Sequence, residues 1–183
     1  MYRSGKPQSV RTGAGAAALA VTEATVDLSA DVADPKAPDI DLIDVLLAQH
    51  GEITAALNDV ERSPVAQRAA AMRSLAALID RHESIEADVA RPLTRRWVIN
   101  GEAIGHARFV EEDQISELLE RLSAMDVGDP RFAGAFAVFR DVFACHMHRE
   151  EAEEFVPLRA QVGRRELVSR AATARRIGGP SRR

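Results

Sequence analysis

The chain has 183 residues, enough for one domain with a substantial core and too few for two comfortable ones. Alanine is abundant and aromatics make up only 4%, which favours helices over a β-sandwich, and a net charge of -4 gives no global field that would draw the core to nucleic acid. The single cysteine, Cys145, excludes an internal disulfide and any thiolate-rich metal cluster, and fits a reducing cytoplasm.

Residues 1–38 are rich in Gly, Ser, Ala, Thr and Pro, have no sustained period, and read as a disordered tail. Within them AGAAALAV, residues 14–21, follows Arg3, Lys6 and Arg11 in weak imitation of a signal peptide, but its alanines and glycines give little hydrophobic drive. Nothing approaches the roughly 20 apolar residues of a membrane span. Residues 39–160 read as the folded domain, and residues 161–183 as a basic, flexible tail with seven arginines from Arg164 onward. That tail is expected to be solvated, with an arm for RNA, DNA or an acidic partner as the less favoured reading.

Four helices are expected in chain order. The first runs from Asp39 to Arg62, with Asp39 or Asp41 as its cap. The second follows Ser63-Pro64, with proline at the first helical position, and runs to Ala90, before Arg91-Pro92. The third spans Glu102 to Met125, and after the turn DVGDP the fourth runs from Arg131 to the neighbourhood of Pro157. Long segments with short connections predict an all-α, up-down-up-down four-helix bundle.

The seams at three- and four-residue spacing carry the chemistry. The first helix gives Ile43, Leu46, His50, Ile53, Leu57 and Val60, and the second Met72, Leu75, Ile79, His82, Glu86 and Val89. The third gives Phe109, Glu112, Ile115, Leu119 and Leu122, and the fourth Phe132, Phe136, Phe139, Phe143, His146 and Glu150. His148, Glu151 and Glu154 are expected to face outward. Six ionisable groups, His50, His82, Glu86, Glu112, His146 and Glu150, therefore point at one core, and at a rise of 1.5 Å per residue they fall near one level. Unpaired, each would cost several kcal/mol in a dry interior. Three imidazoles and three carboxylates in one cluster suit a first-row transition metal, and their number suits two ions better than one.

His106 lies six residues before Glu112, well off the seam, and reads as exposed; Glu83 could reach round beside its neighbour His82. Cys145 reads as an inert small hydrophobe, and Tyr2, the sole tyrosine, is in the N-terminal tail. No Glu-x-x-His occurs, so a ferritin-like site is not expected, and no HExxH occurs, which removes a zinc protease.

Over residues 40–159 the chain resembles the hemerythrin-like family, the HHE cation-binding domain, on LLAQHGEI, HESIEADVARP, EEDQI and HMHREEAEEF. The resemblance implies two non-haem iron ions, oxo- or hydroxo-bridged, on His50, His82, Glu86, Glu112, His146 and Glu150. It also implies a small ligand such as O2, H2O2 or NO, in oxygen or redox sensing, peroxide detoxification or iron homeostasis. A metal-free or degenerate-site regulatory module is the alternative. Three positions depart from the family pattern. Glu112 stands where histidine usually follows glutamate, Ala87 where a second glutamate is common, and Val156 displaces the usual proline to Pro157. A carboxylate at 112 adds negative charge and favours Fe(III), so oxidative or peroxide chemistry is expected over reversible oxygen carriage. On this reading Glu112→His keeps iron and strengthens reversible oxygen binding; an unchanged absorption spectrum would show that Glu112 does not ligate.

Overall fold

The structure, a computed structural model, describes residues 40–177. The expected N-terminal tail, Tyr2 within it, and residues 178–183 lie outside the described residues. Among the described residues every regular element is helical, and none of the helices is long and apolar enough to cross a membrane.

Helix α1 (Leu42–Arg62) starts at Asp41, whose carboxylate accepts the Asp44 backbone N–H while the Asp44 carboxylate accepts that of Asp41, both at 3.0 Å. These bonds satisfy amides that the first helical turn leaves without partners. Arg159 Nη2 adds an ion pair to each carboxylate, at 2.8 and 2.6 Å. Helix α2 (Val65–Ile85) follows with Pro64 at the N-cap, one place earlier than expected, and with the Ser63 hydroxyl bonded back to the Asp59 carbonyl at 2.7 Å.

The chain does not leave the helix at Arg91-Pro92. A π-helical turn, Glu86–Ala90, joins α2 directly to α3 (Arg91–Trp97), and the Arg91 N–H bonds to the Glu86 carbonyl five residues back. Proline has no N–H and its ring clashes with the carbonyl four residues earlier, so a widened turn immediately before it lets the helix continue. The same device recurs after α5 (Phe132–Glu150). There the π turn Glu151–Phe155 leads into α6 (Val156–Gln161), with Pro157 in its first turn and the Val156 N–H on the Glu151 carbonyl. The second and fourth helices thus run past their expected ends.

Between α3 and α4 (Gly101–Ala124), Asn100 adopts a left-handed φ of 60°. A Cβ at Gly101 would stand 2.0 Å from the Thr94 carbonyl oxygen, so only glycine lets α4 leave α3 so closely. On α4 the expected seam holds at Ile115, Leu119 and Leu122 but fails at Phe109, which is 62% exposed, while Arg108 is buried. The reason is angular. Seven residues before Ile115 returns to within about 20° of its face, and six residues before it falls about 120° away.

The C-terminal stretch also differs from expectation. Residues 164–177 form helix α7 (Arg164–Ile177), which buries Leu167, Ala171 and Ala174 and leaves arginines on its other faces. The i, i+4, i+7 spacing puts these three residues on one stripe, and α7 lies along α1.

Two apolar clusters make the core. One gathers Ile53, Leu57, Ile79, Ile115 and the phenylalanines of α5; the other gathers Leu42, Leu46, Ile85, Val89, Phe155, Leu158 and Leu167. Along α1, α2 and α5 the chain passes from one cluster to the other at His50, His82 and His146. Because Leu167 is buried in the second cluster, Leu167→Ala is expected to cost about 2–4 kcal/mol in chemical denaturation. A loss below about 0.5 kcal/mol, the range of ordinary surface substitutions, would show that α7 is not docked in solution.

Candidate metal centre

All six seam residues meet in the layer between the two apolar clusters. Helix α1 supplies His50, α2 and its π turn supply His82 and Glu86, α4 supplies Glu112, and α5 supplies His146 and Glu150. They fall into two overlapping quartets. In one, His50, His82, Glu86 and Glu150 each offer an atom within 4.8 Å of the others, and in the second Glu86, Glu112, His146 and Glu150 do the same. Glu86 and Glu150 belong to both. Each is four residues after a histidine of its own helix and so lies one turn along the same face.

The three imidazoles share one orientation. Each turns Nδ1 outward, His50 to Glu151 Oε1 at 2.7 Å, His82 to Gln49 Oε1 at 3.2 Å and His146 to Glu111 Oε2 at 3.0 Å. A carboxylate or amide oxygen is an acceptor, which puts the proton on Nδ1 and leaves the Nε2 lone pair facing inward. His50 Nε2 and His82 Nε2 then face each other at 3.2 Å, an approach that requires a proton or a cation between them. His146 Nε2 lies 2.9 Å from Glu150 Oε1, and His50 Nε2 lies 3.4 Å from Glu150 Oε2.

The inward-facing atoms are short of protons. His146 Nε2, Glu86 Oε1 and both oxygens of Glu150 are buried without a hydrogen-bond partner. Four electron-pair donors converging in a dry layer are a poor hydrogen-bonded core and a good cation site. The residues present therefore fit a metal ion by donor type, by aim and by number.

The electrostatics agree. Burial pushes the Glu86 carboxyl well above the usual range, reinforced by the neighbouring charge of Glu150. Burial would also raise Glu150, but the imidazoles of His146, His50 and His82 gathered around it outweigh that and hold the carboxyl well below its ordinary value. Their surroundings thus push the two shared carboxyls in opposite directions. Burial lowers His82, with Glu150 opposing; burial also pulls on His146, but Glu150 and Glu111 prevail and raise it. Burial raises Glu112, against the pull of Arg91.

A surrounding ring of residues was not apparent in the sequence. Gln49, Glu111 and Glu151 back the imidazoles, and Arg91 is buried against Glu86, Glu112 and Glu154. Glu154, expected to face outward, is buried and accepts the Thr94 hydroxyl at 2.6 Å; it stands four residues after Glu150 and so lies one turn along the same face. Arg108 pairs with Glu111 at 3.2 Å and Glu153 at 3.0 Å. Adjacency to a seam residue was the available signal for Gln49, Glu111 and Glu151; for Glu154 it was the four-residue spacing from Glu150. His106 and His148 are exposed, as expected, and so is Cys145. Glu83 belongs to neither quartet, and burial, with the nearby charge of Glu112, raises its carboxyl to about 7.

The family model of the hemerythrin HHE cation binding domain matches residues 41–158, more than half of the chain. The chain belongs to the hemerythrin HHE cation-binding domain family. Among solved structures it is similar to a hemerythrin HHE cation binding domain-containing protein, the Rv2633c homologue from Mycobacterium kansasii. The TM-score is 0.67 at 21% identity, covering 76% of this chain and 88% of that one. That likeness is one of fold. A comparison with curated proteins gives no significant match.

The outer acceptors hold the imidazoles in their metal-binding tautomer, so Glu111→Ala and Glu151→Ala, which remove the acceptor, are each expected to weaken divalent-metal affinity roughly 10- to 100-fold in chelator competition. Unchanged affinity in both would mean that the ring does not orient the imidazoles for a metal.

Proposed function

We propose that the cluster binds two iron ions, held by His50, His82, Glu86, Glu112, His146 and Glu150. The supporting observation is the pair of quartets that share Glu86 and Glu150. In this reading the imidazoles are terminal ligands, and the two shared carboxylates serve both positions. Bound non-haem iron supplies redox chemistry toward O2, peroxide or nitric oxide at an open coordination position.

The chain's own contributions are orientation and exclusion of water. Glu151, Gln49 and Glu111 fix the imidazole tautomers, and Phe143 and Phe155 flank the layer with rings 5.9 Å from His146 and 5.3 Å from His50. Water kept from the layer leaves the electrostatic interactions inside it at full strength. The function that follows is oxygen or redox sensing, or peroxide detoxification by a peroxide- or oxygen-reactive oxidoreductase, in a reducing cytoplasm. The alternation of the two apolar clusters along α1, α2, α4 and α5 supports an up-down-up-down four-helix bundle around the site, the domain spanning residues 39–160.

One observation favours a second reading. Arg91 already neutralises Glu112, as it would in a metal-free regulatory module whose buried histidines and glutamates pair with one another. That reading needs a proton between His50 and His82, and it leaves His146 Nε2, Glu86 Oε1 and both oxygens of Glu150 buried without a partner. His82→Ala and His146→Ala separate the two: each is expected to lose at least one of the two irons after reconstitution, measured as iron per folded chain. Full two-iron occupancy in either variant would sink the diiron assignment.

A further inference from the structure

Arg91 is the unusual group beside this site. It is only 5% exposed, and its guanidinium contacts three carboxylates: Glu112 Oε1, Glu86 Oε2 at 3.4 Å and Glu154 Oε2 at 3.2 Å. Two of these carboxylates are proposed ligands. The third is an anchor, since Glu154 holds the guanidinium with one oxygen and accepts the Thr94 hydroxyl with the other.

We propose that Arg91 is a fixed counter-cation of the Glu112 half of the cluster, so that two divalent ions load in order, first on the half built from His50 and His82 and then on the half built from Glu112 and His146. The inference rests on the two-ion reading above.

The first quartet shares only Glu86 with the guanidinium, through the longest of its three contacts. The second shares both Glu86 and Glu112. An ion entering the second quartet must therefore take two carboxylates already neutralised by a positive charge, and it meets that charge at short range. Arginine does not escape by losing a proton. Nor is it free to swing away, because departure would leave Glu154 buried beside Thr94 without its cation. Its stem is packed as well: a Cβ at Gly105 on α4 would stand 3.4 Å from Arg91 Cδ and 3.3 Å from Arg95 Nε.

Arg91 also orients the two carboxylates, which by itself would help an incoming ion. The carboxylates stay on α2 and α4 whatever residue stands at 91, so losing the clamp costs orientation only. Losing the charge removes a repulsion that the ion's own double charge multiplies. The net effect of Arg91 is to weaken the second step.

The test is an anaerobic titration of the metal-free full chain with Co(II), followed by calorimetry and by visible absorption. The wild type is expected to show two binding steps, the second weaker by at least about tenfold. Arg91→Met, which keeps the length and removes the charge, is expected to tighten the second step and narrow the gap by about tenfold, whereas Arg91→Lys keeps the gap. His146→Ala should retain the tight step and lose the weak one, and His50→Ala should lose the tight one. These two variants decide the matter if circular dichroism shows that Arg91→Met does not fold. Two steps of equal affinity in the wild type, a gap unchanged or widened in folded Arg91→Met, or loss of the tight step in His146→Ala would overturn the proposal while leaving the two-ion reading intact. A wild type that binds no Co(II) would overturn both.

Discussion

Three imidazoles and three carboxylates are held in a thin layer between two apolar clusters, five of them buried from water and Glu112 half-buried. Every other feature near the site answers that constraint. The outer imidazole nitrogens find acceptors in Gln49, Glu111 and Glu151, and the outer carboxylate oxygens find Arg91. Among the six clustered residues, the buried atoms that stay unsatisfied are inward-facing: His146 Nε2, Glu86 Oε1 and both oxygens of Glu150. In an interior where an unpaired polar atom costs on the order of 1–3 kcal/mol, so consistent an inward deficit marks the cavity of a cation.

The two π turns tie the helical geometry to this layer. Each begins at or just after the glutamate of a His-x3-Glu pair and ends just before a residue-proline step. A regular α-helix would stop or kink at those prolines. By widening, the chain continues through them, with Ala90, Glu154 and Phe155 buried behind Glu86 and Glu150. Glu154, within the second of these turns, reaches Arg91 and Thr94, so the counter-cation beside Glu112 is anchored by a residue some 60 positions further along the chain.

Much of the helical architecture and the identity of the clustered residues were legible in the sequence, because His50, His82, Glu86, His146 and Glu150 each interrupt an apolar stripe at three- or four-residue spacing. The failures have definite causes. Phe109 was placed on the seam by a spacing of six from Ile115, and the helix, at 3.6 residues per turn, puts Arg108 there instead. Glu154 was placed outside because the polar seam was ended at Glu150, although four residues on is one turn along the same face. Helix α7 was read as a tail because its arginines dominate its composition, while its buried stripe consists of one leucine and two alanines. The ring of outer partners was not legible because tertiary contacts, not periodicity, select Glu111 and Glu151 from among many acidic neighbours.

The most direct test of the account is an anomalous-difference map at the iron edge from crystals of the iron-reconstituted protein. Two peaks are expected, one among His50, His82, Glu86 and Glu150 and the other among Glu86, Glu112, His146 and Glu150. A map with no peak in this layer, from protein shown by diffraction to have the same fold, would contradict the central claim that the inward-facing donors exist to hold metal.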